Sequence, residues 1–134
     1  MLFGTFLTIL FGFLPKNTTL TIDISNINKG EGNVMLAVHN RNNFLKDRVL
    51  EKKISASESN LKVTIELPQG DYAVAVYQDK NQNQRLDTNF LGIPQEPYAF
   101  SNNARPKFRA PNFDEAKIGL WEQTKYINIA LQNW

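Results

Sequence analysis

The sequence predicts an all-β protein, an antiparallel immunoglobulin-like or prealbumin-like sandwich of about seven strands with one long ordered loop. Short segments of alternating apolar and polar residues recur along the chain, separated by turn-forming residues. No segment has the apolar period of a long helix. The 134 residues fit one domain. The chain contains no cysteine, which excludes disulfides, thiolate metal sites and cysteine nucleophiles.

The chain begins with an apolar run, Leu2 to Leu14, closed by Pro15 and Lys16. As a helix this run would be about 20 Å long, shorter than the roughly 30 Å hydrocarbon core of a membrane. The length suits a signal peptide, although a basic start and a small-residue cleavage site are missing. We therefore expect residues 1–16 to direct export to the periplasm or medium, without a stable transmembrane span. Residues 17–134 then form the domain. The alternative is a buried first element of the fold.

Three strands are predicted in the first half of the chain. Apolar and polar residues alternate through Thr19–Ile24 and again through Val34–His39. The glycines of Asn26–Gly32 suit the turn between them. Val49–Ile54 is a weaker, charged candidate, and its lysines indicate a sheet edge, where they discourage pairing with other chains.

Three further strands are predicted in the second half. Leu61–Leu67 alternates strongly, and Tyr72–Gln78 is apolar enough on both faces for a central position. The last strand is Lys125–Leu131. A single helical turn is predicted before it, with Asn112 as N-cap and Glu115 completing a capping box.

The turn into the fifth strand carries a recognisable pattern. Residues 67–76 read LPQGDYAVAV, which resembles the L-P-x-G-x-Y-x-V-x-V run of fibronectin-type and prealbumin-like sandwich domains. In such domains the tyrosine lies at a corner between the sheets and its hydroxyl binds upstream backbone. The resemblance implies this role for Tyr72. The alternative is an ordinary cross-strand aromatic residue.

The segment Asp79–Asn103 concentrates closely spaced oxygen ligands. Five residues fall at positions 1, 3, 5, 7 and 9 of a calcium-binding loop: Asp79, Asn81, Asn83, Arg85 (through its carbonyl) and Asp87. The match departs at position 6, where Gln84 replaces glycine, and at position 12, where Phe90 replaces a bidentate glutamate. We therefore expect calcium, if it binds, to do so weakly, at about 10⁻⁴–10⁻³ M. The alternative is a set of Asx turns that need no ion.

The same loop is expected to be ordered. The 34 residues from Asp79 to Asn112 show no strand or helix period, whereas irregular loops beyond about 12–15 residues are uncommon unless functional or disordered. Disorder is disfavoured because the loop is rich in apolar residues. Those expected to anchor it are Phe90, Leu91, Ile93, Tyr98 and Phe100.

This stretch also carries a family resemblance. Residues 79–103 fit D-x-N-x-N-x-x-L-D-T-N-F-L-G-I-P-x-E-P-Y-x-F-S-N-N, and residues 111–116 fit P-x-F-x-x-A. The pattern resembles the bacterial domain-of-unknown-function family 2141. The resemblance implies an exported small β-sandwich protein, common in Gram-negative bacteria, without an assigned activity. Three positions depart from it. Gln84 and Ala99 stand where glycine is usual, and Gln78 stands where histidine is frequent. If that histidine is a metal ligand or a catalytic base in the family, this chain lacks it.

The loop supplies the candidate binding residues: Glu96, Tyr98, Phe100, Asn102 and Asn103. Aromatic faces stack, and amides both donate and accept hydrogen bonds, which suits a glycan or a peptide. The alternatives are loop core for Phe100 and turn capping for the two asparagines. We expect a non-enzymatic binding or accessory module, with calcium as its candidate ion.

Two rival functions remain open, and nucleic-acid binding is disfavoured. A purely structural envelope protein would use the loop only to cover the end of the sandwich. A hydrolase would use the loop carboxylates, but no catalytic residue is assigned because His39 is the only histidine and lies far from the loop in sequence. The basic cluster at residues 105–109 is too short for a nucleic-acid groove, and the net charge is only +2.

Overall fold

The computed structural model describes residues 16–134, which form two packed β-sheets. The apolar run of residues 2–14 lies outside the described residues, so the export signal stays a prediction. The strands are β1 (Asn17–Ser25), β2 (Asn33–His39), β3 (Leu50–Ser55), β4 (Leu61–Pro68), β5 (Gly70–Asp79), β6 (Tyr98–Phe100), β7 (Ile118–Leu120) and β8 (Thr124–Ala130). The predicted all-β sandwich is confirmed, with eight strands in these residues rather than about seven.

The two sheets differ in size and in strand direction. One has the order β4-β1-β8, and the other has the order β3-β2-β5-β6, with β7 paired to the start of β5. All pairings are antiparallel except that of β1 with β8, where Ile22 lies opposite Ile127. The predicted sandwich is therefore antiparallel apart from this one parallel pair. The pair arises because the chain crosses between the sheets from β7 to β8, which brings the last strand beside the first.

The core lies between the sheets and follows the predicted alternation. Leu20, Ile22 and Ile24 of β1 are fully buried, while the residues between them are half-buried. They pack against Leu36 and Val38 of β2 within one continuous cluster. Burial of this apolar surface, at about 25 cal/mol per Å², is the main stabilising contribution.

The predicted corner, edge and cap are all present. The buried Tyr72 donates its hydroxyl hydrogen to the carbonyl oxygen of Pro68 at 2.6 Å, and burial raises its pKa. The charged strand β3 lies at a sheet edge. Helix α1 (Phe113–Ala116) begins with the capping box of Asn112 and Glu115.

A second apolar cluster covers the outer face of β5. It joins Phe44, Phe100 and Phe113, whose rings meet edge to face at 5.8–6.3 Å. His39 packs edge-on against Phe44, and its Nδ1 donates to the carbonyl oxygen of Asp47 at 2.5 Å. The lone histidine therefore has a packing role. This agrees with the sequence analysis, which assigned it no catalytic role.

The long stretch after β5 contains more regular structure than its sequence indicated. Tyr98–Phe100 forms β6 against residues 75–77 of β5, and a short 3-10 turn (Ser101–Asn103) follows. The expected irregular loop is therefore shorter than predicted. The reason is tertiary: β7 pairs only with residues 70–72, so the far half of β5 is left for β6.

Candidate functional site

Asp79 organises the first half of the segment from the end of β5. Its side chain is fully buried. One carboxylate oxygen accepts the backbone N–H of Asn83 at 3.1 Å, and the other accepts that of Gln84 at 2.7 Å. The chain therefore curls around this carboxylate, as an Asx-type turn requires.

Glu96 closes the same structure from the other end of the segment. It is also buried, and its two oxygens accept the backbone N–H groups of Lys80 at 2.7 Å and Asp87 at 3.0 Å. Carboxylates that accept from backbone N–H groups form stronger bonds than neutral acceptors. Glu96 therefore ties together three separate parts of the segment, and its observed contacts are internal.

Asp87 completes what we call the carboxylate cluster (Asp79, Asn81, Asn83, Asp87 and Glu96). The side-chain amides of Asn83 and Asn81 donate to its two oxygens at 2.6 and 2.5 Å. These hydrogen bonds, that from Asn83 first, hold the pKa of Asp87 below its ordinary value. The cluster thus joins the predicted calcium-ligand side chains, but with amide nitrogens rather than oxygens turned towards Asp87.

The cluster carries three carboxylates and no cationic partner within the described chain. None of its three carboxylates forms a salt bridge with residues 16–134. In the same residues, no group of three or more His, Cys, Asp or Glu side chains is arranged to hold a metal ion. Burial, followed by the negative charges of Asp79, Glu51 and Glu96, raises the pKa of Tyr77 to about 12.

The cluster rests on a clamp that the sequence did not reveal. Gln78 is fully buried and holds the turn after β1: its oxygen accepts the N–H of Asn28, and its amide donates to the carbonyls of Asn28 and Glu31. Beside it, a Cβ on Gly32 would lie 2.0 Å from the carbonyl oxygen of Asp79. The only sequence signal was an uncharged polar residue at the end of an otherwise apolar central strand.

Beyond Asp87 the chain forms a small hairpin, residues 87–95, with an exposed tip. The N–H of Gly92 bonds to the carbonyl of Asn89 at 2.9 Å, which closes a tight turn. Phe90 and Leu91 occupy the tip and are 95% and 68% exposed. The expectation that they anchor the loop in the core was wrong, because the middle of a tight turn points away from the strands that flank it.

The hairpin borders an apolar groove of about 520 Å³. The hairpin contributes Leu91, Ile93 and Pro94 to its lining, β6 contributes Tyr98 and Phe100, and two more rings come from Phe108 and Trp134. The rings of Phe108 and Trp134 are 6.5 Å apart, and these residues are 87% and 52% exposed. Sequence reasoning missed Phe108 and Trp134, since neither lies in the predicted binding segment.

Tyr98 is held firmly at the base of this groove. Its backbone pairs with Gln132 through two hydrogen bonds of 3.0 and 3.2 Å. The Arg105 guanidinium lies 4.2 Å from the centre of the tyrosine ring and donates to the Tyr98 carbonyl at 3.1 Å. Of the predicted contact residues, Tyr98 and Phe100 are therefore the two that line the groove.

Asn102 and Asn103 bind backbone groups instead. The amide of Asn102 donates to the carbonyl of Lys117 at 2.8 Å. The side chain of Asn103 accepts the N–H of Ala130 at 3.0 Å and donates to the carbonyl of Asn128 at 3.5 Å. These contacts match the capping role offered as the alternative for both residues.

Comparison with known proteins gives one match. A family model described as "Uncharacterized protein conserved in bacteria" (DUF2141) matches residues 22–128, most of the chain. No curated protein and no solved structure matches. Within residues 16–134, no helix has the length and apolar character that a membrane crossing needs. The matched range includes both the carboxylate cluster and most of the groove, and the chain belongs to this bacterial family, as the pattern of residues 79–116 implied.

Proposed function

We propose that this protein is an exported, non-enzymatic binding module whose groove holds an extended, apolar peptide segment. The observation that carries the proposal is the exposure of Phe108 and Trp134 beside the groove. Contiguous exposed apolar surface is uncommon on proteins that bind nothing, and a groove of this size is within the range of ligand sites. Export is supported by the apolar run Leu2–Leu14.

The backbone at Phe108 gives independent support. Its φ of +63° lies in the left-handed region, which bulky side chains rarely adopt. In an isolated chain this costs about 1–2 kcal/mol, and the exposed ring recovers little of it by packing. Such strain at an exposed aromatic residue suits one whose apolar contacts are completed by a ligand.

The lining favours a peptide over a glycan. The lining groups able to hydrogen-bond are the side chains of Thr88, Tyr98 and Arg109 and the indole N–H of Trp134, and the Arg109 guanidinium already binds Glu115 at 2.6 Å. The amides of Asn102 and Asn103 are engaged with backbone. A glycan would therefore meet few free polar partners. A peptide with apolar or proline side chains matches an aromatic-lined open groove.

The carboxylate cluster supports this role by fixing the hairpin. Asp79 and Glu96 each place both oxygens on backbone N–H groups. A hydrolase would instead need one of these oxygens free to meet the substrate or a water. This use of both carboxylates supports a non-enzymatic module.

The binding experiment uses a random twelve-residue peptide library displayed on phage. We expect the selected peptides to be apolar and to bind the Trp134→Ala variant at least tenfold more weakly. Trp121→Ala is the matched control, because Trp121 is also exposed but does not line the groove. Equal affinity for Trp134→Ala and the native chain, or no selected peptide at all, would overturn the proposal. Binding on a glycan array that is lost with Tyr98→Ala would favour the sugar alternative.

We also propose that the cluster binds calcium weakly. Its support is the presence of three carboxylates without a cationic partner in the described chain, two of them buried. Rotation of the Asn81 and Asn83 amides would turn two further oxygens inwards. At an ion concentration tenfold above Kd the stabilisation would be about 1.4 kcal/mol, or about 5 °C in Tm.

Thermal melts with calcium, EGTA and magnesium test this ion. We expect calcium to raise Tm, EGTA to reverse the rise, and Asp87→Asn to remove it. If about 10 mM calcium, tenfold above a Kd of about 1 mM, leaves the Tm of chelator-treated protein unchanged, the cluster does not bind calcium. In that case the hydrogen bonds alone hold the cluster.

The structural envelope protein is the second candidate, favoured by the internal contacts that Glu96, Asn102 and Asn103 make. If the hairpin only covers the end of the sandwich, replacing residues 89–92 with a two-residue turn should leave all partners of the native protein in place. Loss of peptide binding by that variant, with the fold retained, would favour the binding module.

A further inference from the structure

We infer that the outer edge of β8 accepts an additional β-strand, supplied by an extended peptide with acidic side chains. This surface is separate from the apolar groove, and the inference does not depend on the groove having a ligand. It follows from the direction of the backbone groups of β8, from the way Asn103 covers only one end of the edge, and from the charge of the adjoining cleft.

The hydrogen bonds to β1 determine which groups of β8 point outwards. At one end Gln123 accepts from the N–H of Thr19 at 2.9 Å, and at the other Leu131 donates to the carbonyl of Ser25 at 3.0 Å. Backbone groups alternate in direction along a strand. The backbone N–H and C=O groups of the odd-numbered residues of β8 therefore point towards β1. Those of Thr124, Tyr126, Asn128 and Ala130 point away from it.

One end of this outward edge is already covered. Gln132 pairs with Tyr98 of the other sheet, so the two sheets are joined there. Next along the edge, the Asn103 side chain occupies the Ala130 N–H and the Asn128 carbonyl, as the backbone of a neighbouring strand would. The outward backbone groups of residues 124–126 form no hydrogen bond with any described residue. In the described chain, β8 pairs with no strand except β1.

A cleft of about 450 Å³ adjoins the open part of the edge. It lies between β8 and the segment that leads into β7, and its lining includes Lys117 and Lys125 but no Asp or Glu. Neither lysine forms a salt bridge with residues 16–134. Ile127 and the largely buried Ile118 also belong to the lining of this cleft.

These features select the occupant. Strand addition takes its affinity from backbone hydrogen bonds and its specificity from alternate side chains. Here a strand whose acidic residues alternate with apolar ones would place its carboxylates on one face, beside the two lysines, and its aliphatic side chains on the opposite face, beside Tyr126. A second copy of this chain fits poorly, because pairing two β8 edges would bring the lysines of both clefts together.

The test titrates ¹⁵N-labelled protein with a capped seven-residue peptide in which glutamate and valine alternate. We expect the amide signals of Tyr126 and Asn128 to shift, and their exchange with deuterium to slow at least tenfold at saturation. Two control peptides should bind at least tenfold more weakly: one with lysine in place of glutamate, and one N-methylated at the central valine.

A pair of variants tests the edge itself. Tyr126→Pro removes the outward N–H and leaves the β1 ladder intact, so we expect at least tenfold weaker binding, while Tyr126→Ala should bind as the native chain does. Trp134→Ala should also bind normally, which separates this surface from the groove.

Three outcomes would overturn the inference. They are equal binding of the lysine peptide, equal binding by Tyr126→Pro and Tyr126→Ala, and no shift at millimolar peptide. The last would mean that Lys125 and Asn103 guard the edge against pairing. Shifts that depend on protein concentration without peptide would assign the edge to a second copy of the chain.

Discussion

The carboxylate cluster and the apolar groove are neighbours in the chain but differ in how their side chains are used. In the cluster, each carboxylate oxygen of Asp79 and Glu96 accepts a backbone N–H. In the groove, Phe108 and Trp134 are 87% and 52% exposed, and their rings lie 6.5 Å apart. The cluster therefore stabilises the fold, whereas the groove leaves apolar surface available to a ligand.

The difference shows that sequence proximity does not make one functional site. Asp79 is anchored at the end of the central strand β5, where burial forces every polar group to find a partner. Phe90 and Leu91, a few residues later, are at a hairpin tip and are exposed. Substitutions in the two regions should consequently change different measured quantities, stability for the cluster and ligand affinity for the groove.

The largest expected effect is that of Glu96→Ala. The substitution leaves the part-buried N–H groups of Lys80 and Asp87 without their acceptor, at a cost of about 3 kcal/mol in the free energy of unfolding. Urea denaturation measures it. Glu122→Ala, at an exposed glutamate, is the control and should stay within about 0.5 kcal/mol. If Glu96→Ala changes the free energy of unfolding by less than that limit and weakens ligand binding, Glu96 acts in binding rather than in stabilising the fold.

The next effect is a loss of stability at alkaline pH that comes from Tyr77. Burial and the neighbouring carboxylates raise its pKa to about 12, against about 10 in the unfolded chain. The folded protein thus keeps the phenol proton longer than the unfolded protein. The stabilisation is complete below pH 10 and is lost as the pH rises from about 10 to about 12. Urea denaturation across this range should show the loss, and Tyr77→Phe should reduce it. Equal slopes for both proteins would contradict the assignment.

A smaller, opposite effect is expected from Gln84→Gly and Phe108→Gly. Gln84 in the cluster and Phe108 beside the groove both have φ near +64°, which glycine adopts without strain. Relief of that strain exceeds the entropy glycine gains in the unfolded chain, so each variant should gain about 0.5 kcal/mol.

The two variants then separate the regions. Gln84→Gly should leave peptide binding unchanged, whereas Phe108→Gly should weaken it at least tenfold while stabilising the fold. Gln123→Gly, at an exposed position without a positive φ, is the control and should lose stability. If Phe108→Gly binds as the native chain does, the strained ring has no part in recognition.

The smallest stability change is expected for Trp134→Ala, within about 0.5 kcal/mol. Its side chain is half-exposed, and its ring lies 6.5 Å from that of the exposed Phe108. A loss of more than about 2 kcal/mol in thermal or urea unfolding would show that Trp134 belongs to the core. In that case the groove would be a packing surface rather than a binding site.

Much of the fold was predictable because local patterns have local causes. The alternation in β1, the corner at Tyr72 and the capping box at Asn112 each follow from a few adjacent residues. The candidate site was predicted in part: of the calcium-loop residues, Asp79, Asn81, Asn83 and Asp87 come together, and Tyr98 and Phe100 line the groove. Glu96, Asn102 and Asn103 make internal contacts that their spacing alone could not distinguish from ligand contacts.

The amino-acid pattern was sufficient for the six longer strands, the turns between them and the family, but not for β6 and β7, since side-chain periodicity and turn chemistry act over a few residues. It was insufficient for the parallel pairing of β1 with β8, the clamp of Gln78, the meeting of Phe108 with Trp134 and the partly covered edge of β8. Each of these joins residues distant in the chain. Such contacts form only when both sheets have packed, because no local preference specifies which distant residue will fill a given space.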